Sequence, residues 1–349
     1  MRLARFSLND SPRYAFVQKD ETDGKDYLIE LDGHPLAGDQ VKPTGARYPV
    51  DGDGIRLLSP VIPSKVYGLA KNYEAHAQFM HEAGHSEIAH APEDMVIFTK
   101  PSTSVIGPDD PIVYPACSKD MNFEPEVAVV ISRITKNVTV ENAMDYVLGF
   151  TCVNDVTLRD LQGLGSMWTR AKGFDTSCPL SPWIVTRDAK ISFTPNGEDV
   201  PMASGTTANL IHGIPEQIAA ISSFATLLPG EVILTGTPNA SGHLDPGDET
   251  VVTVEGMVSC VTWCCVREFG TASCGAYHPD PRRCRARFYA YEKAAPAINR
   301  IRVSRTGDRG TACRRGTPMT SSSVVLASEL ALEEVDDSRM FLFVNLHGE

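Results

Sequence analysis

Met121-Asn122-Phe123-Glu124-Pro125-Glu126-Val127-Ala128-Val129-Val130-Ile131 is the stretch on which the reading of this chain turns. Its last five residues are apolar and mostly β-branched, so they read as a core strand. Two carboxylates run straight into it. In an extended chain, side chains two residues apart share a face. Glu124 and Glu126 therefore project together, with their Cα atoms roughly 7 Å apart. Two anions at a core boundary repel, and one must take up a proton unless a cation sits between them. A hard divalent cation resolves the conflict, because such ions prefer carboxylate oxygen. The competing reading is a strand at a sheet edge with both glutamates facing water. Two carboxylates make a thin metal site, so a third oxygen ligand has to come from elsewhere.

Gly149–Gln162 offers one: an apolar run ends in Asn154-Asp155 and gives way to dense polar side chains, as at a strand end opening into a site loop. Asp155 is the natural third ligand; alternatively it caps a following helical turn. Lys172 lies among small residues in Trp168–Thr176 and, taken alone, reads as a solvated lysine. Leu234-Thr235-Gly236-Thr237-Pro238 closes a strand in a Gly/Thr turn. Its backbone N–H groups and hydroxyls can hold a carboxylate; without context it is only a turn.

Outward from these segments, the chain reads as an α+β, β-dominated protein. Residues 1–60 alternate short apolar runs, such as Tyr14–Val17 and Tyr27–Ile29, with Gly, Pro and Asp clusters, which suits a small β-rich N-terminal domain. Residues 61–259 carry strand-like runs at Val127–Ile131, Trp183–Thr186, Val232–Thr235 and Val251–Val254. Turn signals at 107–110, 195–197 and 246–248 separate them. Helical spacing predicts helices over Asn72–Ala83, with Asn72 as N-cap, and over Ile214–Leu228. From Cys260 to Glu349 the character changes: six cysteines, and twelve arginines and one lysine against ten acidic residues. That segment reads as an atypical Arg/Cys-rich C-terminal extension. It is either a basic interaction tail, an unrelated extension, or a region whose coding frame differs from that of relatives.

The formal net charge of −12 argues against nucleic-acid binding, which needs a basic surface to displace counterions, and against docking on an anionic membrane. No run approaches the roughly 18–20 apolar residues that span a bilayer. The opening residues carry no apolar core of signal-peptide type, and the nine cysteines include no CxxC pair. The expectation is a cytoplasmic protein with reduced thiols.

Six blocks in order, VYGLAKNYEAHA, FTKPSTSVIGPDDPI, NFEPEVAVVIS, NDVTLRDLQ, WTRAKGFDTSCPLSPWIV and GEVILTGTP, span about residues 60–257. In them the chain resembles the fumarylacetoacetate hydrolase family, particularly its short bacterial, acylpyruvase-like branch. The resemblance implies a mixed β-roll catalytic domain, a homodimer, and Mg²⁺ or Mn²⁺ in the site, with Ca²⁺ as another occupant. It implies Glu124, Glu126 and Asp155 as metal ligands, Lys172 as the site lysine, and Arg159, Gln162 and Thr237 as substrate-binding residues. Family substrates are small 2-oxo acids or β-diketo acids, including ring-cleavage products of aromatic catabolism. The reaction expected here is decarboxylation or isomerisation through a metal-stabilised enolate. A C–C hydrolase of acylpyruvase or fumarylacetoacetate type is the alternative, and a catalytically silent binding protein is a further one.

Hydrolysis needs a base. The family's NYxxHxxE motif places His76 in that role, and the unperturbed imidazole pKa suits it. Here the chain departs from the motif: the glutamate expected three residues after the histidine is Phe79. Glu74 and Glu82 do not project toward His76 on a regular helix. His76 thus lacks its orienting carboxylate, which weakens the hydrolase reading more than the isomerase one. Asn122 also stands where the family often has Asp.

Overall fold

The computed structural model describes residues 1–37, 41–108, 110–163, 168–187, 203–254, 257, 260–266 and 341–346. An eleven-stranded mixed sheet organises the molecule. Its path runs Pro43–Pro49, Asp26–Leu31, Ser11–Lys19, Arg2–Leu8, Trp183–Thr186, Val147–Asn154, Pro125–Ile131, Val232–Leu234, Lys65–Ala70 and Val96–Pro101, with Ile55–Leu58 joined to Arg2–Leu8. Val232–Leu234 runs parallel to Lys65–Ala70, and the other pairs are antiparallel. The N-terminal strands continue this sheet, because Leu3 pairs with Ile184. A β-dominated fold with few helices follows, as the composition of short β-branched runs requires.

Pro125–Ile131 lies in the middle of the sheet, between Val147–Asn154 and Val232–Leu234, and every residue in it is buried. The edge-strand reading of its two glutamates is therefore excluded. Val127, Val129 and Ile131 enter one apolar cluster, whereas Ala128 and Val130 enter another on the opposite face. Both faces are covered, which is why the strand is a continuous apolar run and not an alternating one. Burying such a side chain contributes roughly 1.5–3 kcal/mol each.

The helix Ile214–Phe224 packs Ile214, Ile218 and Ile221, spaced four and three apart, into the first cluster. It stops short of the expected Leu228, because Leu227 leaves the helix to bridge Thr135 in extended form. The other expected helix forms as Glu74–Glu82, and Asn72 is not its cap: Tyr73 holds that position without a side-chain bond. The Asn72 side chain is instead buried. It donates to the carbonyls of Thr235 at 2.8 Å and His212 at 3.1 Å, and accepts from His212 N at 2.9 Å. A long-range clamp has taken the asparagine that local capping would have used.

A five-stranded sheet joins Ala203–Thr206, Phe341–Leu346, Glu249–Val254, Cys260–Val266 and Ile112–Tyr114. The shift in composition at Cys260 thus does not coincide with the end of the paired strands. Residues 267–340, including the Arg-rich stretch, and the turn signal at 195–197 lie outside the described residues. Cys117, Cys152, Cys178, Cys260, Cys264 and Cys265 are not joined in disulfides. Among the described residues, no helix is long and apolar enough to cross a membrane.

Candidate active site

Strand register assembles the site. Pro125 pairs with Asn154, so Glu124 and Asp155 face each other just beyond the ends of two antiparallel strands. Asp155 N donates to the Glu124 carbonyl at 2.7 Å, and Asn154 Oδ1 accepts from Glu124 N at 2.9 Å. On the other side, the pairing of Ala128 with Leu234 carries Glu126 alongside Gly236. Gly236 N donates to Glu126 Oε2 at 2.6 Å, and the Thr237 hydroxyl donates to Oε1 at 3.2 Å. Gly236 has a φ of +110°, and a Cβ there would sit 2.9 Å from that of Asn72, so only glycine fits the turn. The Gly/Thr turn does hold a carboxylate, and it is the protein's own.

Glu124, Glu126 and Asp155 are all buried, and one oxygen from each lies within 4.8 Å of the others. Asp155 caps no helix, since the short helix Arg159–Gln162 starts after Leu158. Among the described residues, three cations face this cluster. Lys172, buried and not solvated, donates to Glu124 and, at 2.5 Å, to Asp155 Oδ2. Arg159 donates to Glu124, to Ser241 Oγ at 2.8 Å and to Gln162 Oε1 at 2.8 Å. The third is Lys100, which is fully buried with its Nζ 2.8 Å from Asp155 Oδ1.

These cations all serve Glu124 and Asp155. Burial pushes the Glu124 carboxyl up, but Arg159 and Lys172 outweigh it and hold the group well below the usual range. Burial pulls the Lys172 ammonium down, yet Asp155 and Glu124 prevail and raise it. Glu126 has no cation within ion-pair distance among the described residues. Burial, reinforced by the Asp155 charge, drives its carboxyl well above the ordinary carboxylate range. Asp155 Oδ1 also makes no hydrogen bond of proper geometry despite its closeness to Lys100. Three hard oxygen donors, one of them proton-hungry and one short of a hydrogen bond, fit a divalent cation.

Lys100 was not singled out from the sequence, although FTKP carries it. Its ammonium also donates to the Lys172 carbonyl, to Ser177 O at 2.9 Å and to Ser177 Oγ at 3.0 Å. It thereby ties the strand Val96–Pro101 to both the Asp155 loop and the Lys172 turn. We expect Lys100→Met to destabilise the metal-free protein by about 3–5 kcal/mol, the cost of stranding a buried charge. Urea unfolding that differs from wild type by less than about 1 kcal/mol would show that this anchor is dispensable.

His76 is buried on the helix Glu74–Glu82. Its Nδ1 lies 2.5 Å from the Asn239 carbonyl. A carbonyl only accepts, so Nδ1 carries the proton and Nε2 keeps its lone pair. Nε2 is 3.9 Å from Glu124 Oε1. Burial, only partly opposed by Glu124, lowers the His76 pKa to about 4, so the ring is neutral near pH 7. Phe79 stacks beside it, with centroids 6.4 Å apart and planes at 22°. The backbone at Asn239 thus orients the ring where the family motif uses a carboxylate. Glu74 turns away to His90 and the Ala91 N–H.

Seven of the eight residues singled out from the sequence, His76, Glu124, Glu126, Arg159, Gln162, Lys172 and Thr237, line one cavity of about 310 Å³. Asp155 lies behind that wall. A family model described as fumarylacetoacetate (FAA) hydrolase C-terminal matches residues 65–264. The chain belongs to this family. A second one, described as Rv2993c-like, N-terminal, matches residues 1–60. Protein Rv2993c of Mycobacterium tuberculosis is 38% identical over 265 residues, covering 74% of this chain and 95% of that protein. Oxaloacetate tautomerase YcgM of Escherichia coli is 37% identical over 214 residues, covering 58% of this chain and 93% of the enzyme. The crystal structure of 5-carboxymethyl-2-hydroxymuconate delta-isomerase from Mycobacterium smegmatis superposes with a TM-score of 0.63 at 36% identity, covering 76% of this chain and all of that one. Fumarylacetoacetate hydrolase family members of isomerase and tautomerase type are thus among this chain's relatives.

Proposed function

We propose that this chain is a divalent-metal-dependent isomerase of small 2-oxo acids, interconverting keto and enol forms, with Glu124, Glu126 and Asp155 holding Mg²⁺ or Mn²⁺. The observation that carries the reading is the meeting of two features at one cavity: three converging buried carboxylates, and a neutral imidazole whose free nitrogen lies 3.9 Å from one of them. The named activities of the tautomerase and isomerase relatives support it.

The ion, when bound, supplies a Lewis acid for the oxygens of the 2-oxo acid head. The chain's own residues supply the rest. His76 Nε2, unprotonated and aimed by Asn239, accepts a proton from the substrate carbon next to the keto group. The enolate oxygen takes a proton from solvent and the imidazolium releases its own to solvent, and enol-to-keto conversion runs the same steps backwards. Lys172 stays charged and places a fixed cation where negative charge develops. Arg159, which also lines the cavity, adds a second fixed cation beside Glu124. Gln162 pins the same guanidinium at Nη1.

Hydrolysis of a C–C bond is a second reading, favoured by the Asn239 carbonyl that orients His76 without a carboxylate partner. Water activation by Nε2 would serve it. The test is enol–keto interconversion of oxaloacetate, followed by ultraviolet absorbance on chelator-stripped protein before and after Mn²⁺, beside acylpyruvate cleavage. We expect metal-dependent tautomerisation that exceeds cleavage. Absence of any metal-dependent turnover on either substrate would overturn the proposal.

A further inference from the structure

Lys71 lines the same cavity as the acidic cluster, yet the reaction proposed above gives it no task. It is a lysine in the left-handed region, with a φ of +54°. A non-glycine residue there costs of order 1–3 kcal/mol and persists only where its surroundings impose it. The imposing group is the next residue: buried Asn72 is held by its side-chain bonds to His212 and Thr235, and by Ile211 N on its carbonyl at 3.0 Å. The strain therefore fixes the direction in which the Lys71 side chain leaves the strand Lys65–Ala70.

The ammonium it delivers differs from the other cations of the cavity. Arg159 and Lys172 are already bonded to Glu124 or Asp155. Lys71 pairs with no carboxylate among the described residues. Its contact is the Ser86 hydroxyl at 2.9 Å, and that hydroxyl is itself committed to the Ile88 backbone. An ammonium has three donors, so two remain. Partial burial lowers the Lys71 pKa, which an anion in the cavity would reverse. A cavity of about 310 Å³ suits a small ligand, at the low end of the range for ligand pockets.

We propose that Lys71 is a specificity residue that binds a second carboxylate, at the far end of the substrate from its 2-oxo acid head, so that the chain selects 2-oxo diacids over 2-oxo monoacids. This rests on the reading of the acidic cluster as a 2-oxo acid site. Lys71 binds the carboxylate itself and takes no part in moving the proton, so its loss falls mainly on KM and leaves kcat nearly unchanged.

The test compares oxaloacetate with its 4-methyl ester, which keeps the head group and the length but lacks the second charge. Both are titrated into Mn²⁺-loaded wild type, Lys71→Met and Lys71→Arg, with binding read by calorimetry and tautomerisation by absorbance. We expect wild type to favour the diacid at least tenfold. Lys71→Met should raise KM for the diacid by about 10–100-fold, a loss of up to roughly 3 kcal/mol, with the ester unaffected, and Lys71→Arg should restore most of the preference. If wild type turns over both substrates without preferring the diacid, or if Lys71→Met weakens both equally, the proposal is overturned while the isomerase reading stands. If neither ligand binds the Mn²⁺-loaded wild type, both fall together.

Discussion

Glu126→Gln is expected to abolish the response of this protein to Mn²⁺. Wild type, at a metal concentration 100 times the dissociation constant, should gain about 2.7 kcal/mol of stability, and the variant close to none. The amide keeps the shape of the side chain; its oxygen can accept from Gly236 N and its NH2 can donate to the Thr237 hydroxyl, so loss of folding is not the expected cause. It removes the carboxylate that, among the described residues, no cation pairs with directly. Linkage gives the same residue a pH signature. Because the folded-state pKa of Glu126 is raised, the metal-free fold favours its protonated form. Stability is therefore present below the ordinary carboxylate range and is lost as pH rises toward the raised value. Glu126→Gln should flatten that slope. Metal binding displaces the same proton, so apparent affinity should weaken by up to about tenfold per pH unit on acidification while Glu126 is protonated. Differential scanning fluorimetry across pH, with and without Mn²⁺, measures both effects; a full metal shift in the variant would remove Glu126 from the ligand set.

His76→Ala should lower tautomerisation by about 10²–10⁴-fold, the usual contribution of a positioned proton-transfer group. The Mn²⁺-induced thermal shift should survive, because His76 is not one of the three converging carboxylates. Any C–C hydrolysis should fall at least as far, whereas oxaloacetate decarboxylation should fall much less. Equal losses in all three activities would contradict the separation of roles. The pKa of about 4 places the acid limb of His76-dependent activity near pH 4 and leaves the rate flat through neutrality on this account. For stability the sign is fixed by the depression from 6.5: the unfolded chain takes up the proton first. Stability is full above about pH 6.5 and drains as pH falls toward 4, by on the order of 3 kcal/mol. His76→Ala removes this acid sensitivity, which urea unfolding at pH 7 and pH 5 would register.

Much of the site was legible without coordinates, and particular residues show why. Glu124 and Glu126 share a face because strand geometry alternates every residue, whatever the rest of the fold does. The apolar run behind them announces a strand buried on both sides. Asp155 could be chosen because an apolar strand ends beside it. Asn72 shows the limit of local rules: they offer an asparagine ahead of a helix as a cap, and they carry no knowledge of the distant Thr235 carbonyl that competes for it. Lys100 left little signal, since a single lysine in a β-branched run reads as solvated until the chains that bury it are in place. The same holds for Asn239, whose contribution to His76 is a backbone carbonyl that side-chain identity does not encode.

The β-dominated fold, the family and the side chains that carry charge toward the core follow from composition, alternation and order along the chain. How that charge is distributed follows from tertiary contacts. The antiparallel register of Pro125 with Asn154 sets Asp155 beside Glu124, and the register of Ala128 with Leu234 gives Glu126 two hydrogen-bond donors and, among the described residues, no direct ion pair. Register is a property of strands far apart in sequence. Burial, with the Asp155 charge, pushes the Glu126 carboxyl up, while Arg159 and Lys172 hold the Glu124 carboxyl down, and both depend on separations of a few ångströms that register sets.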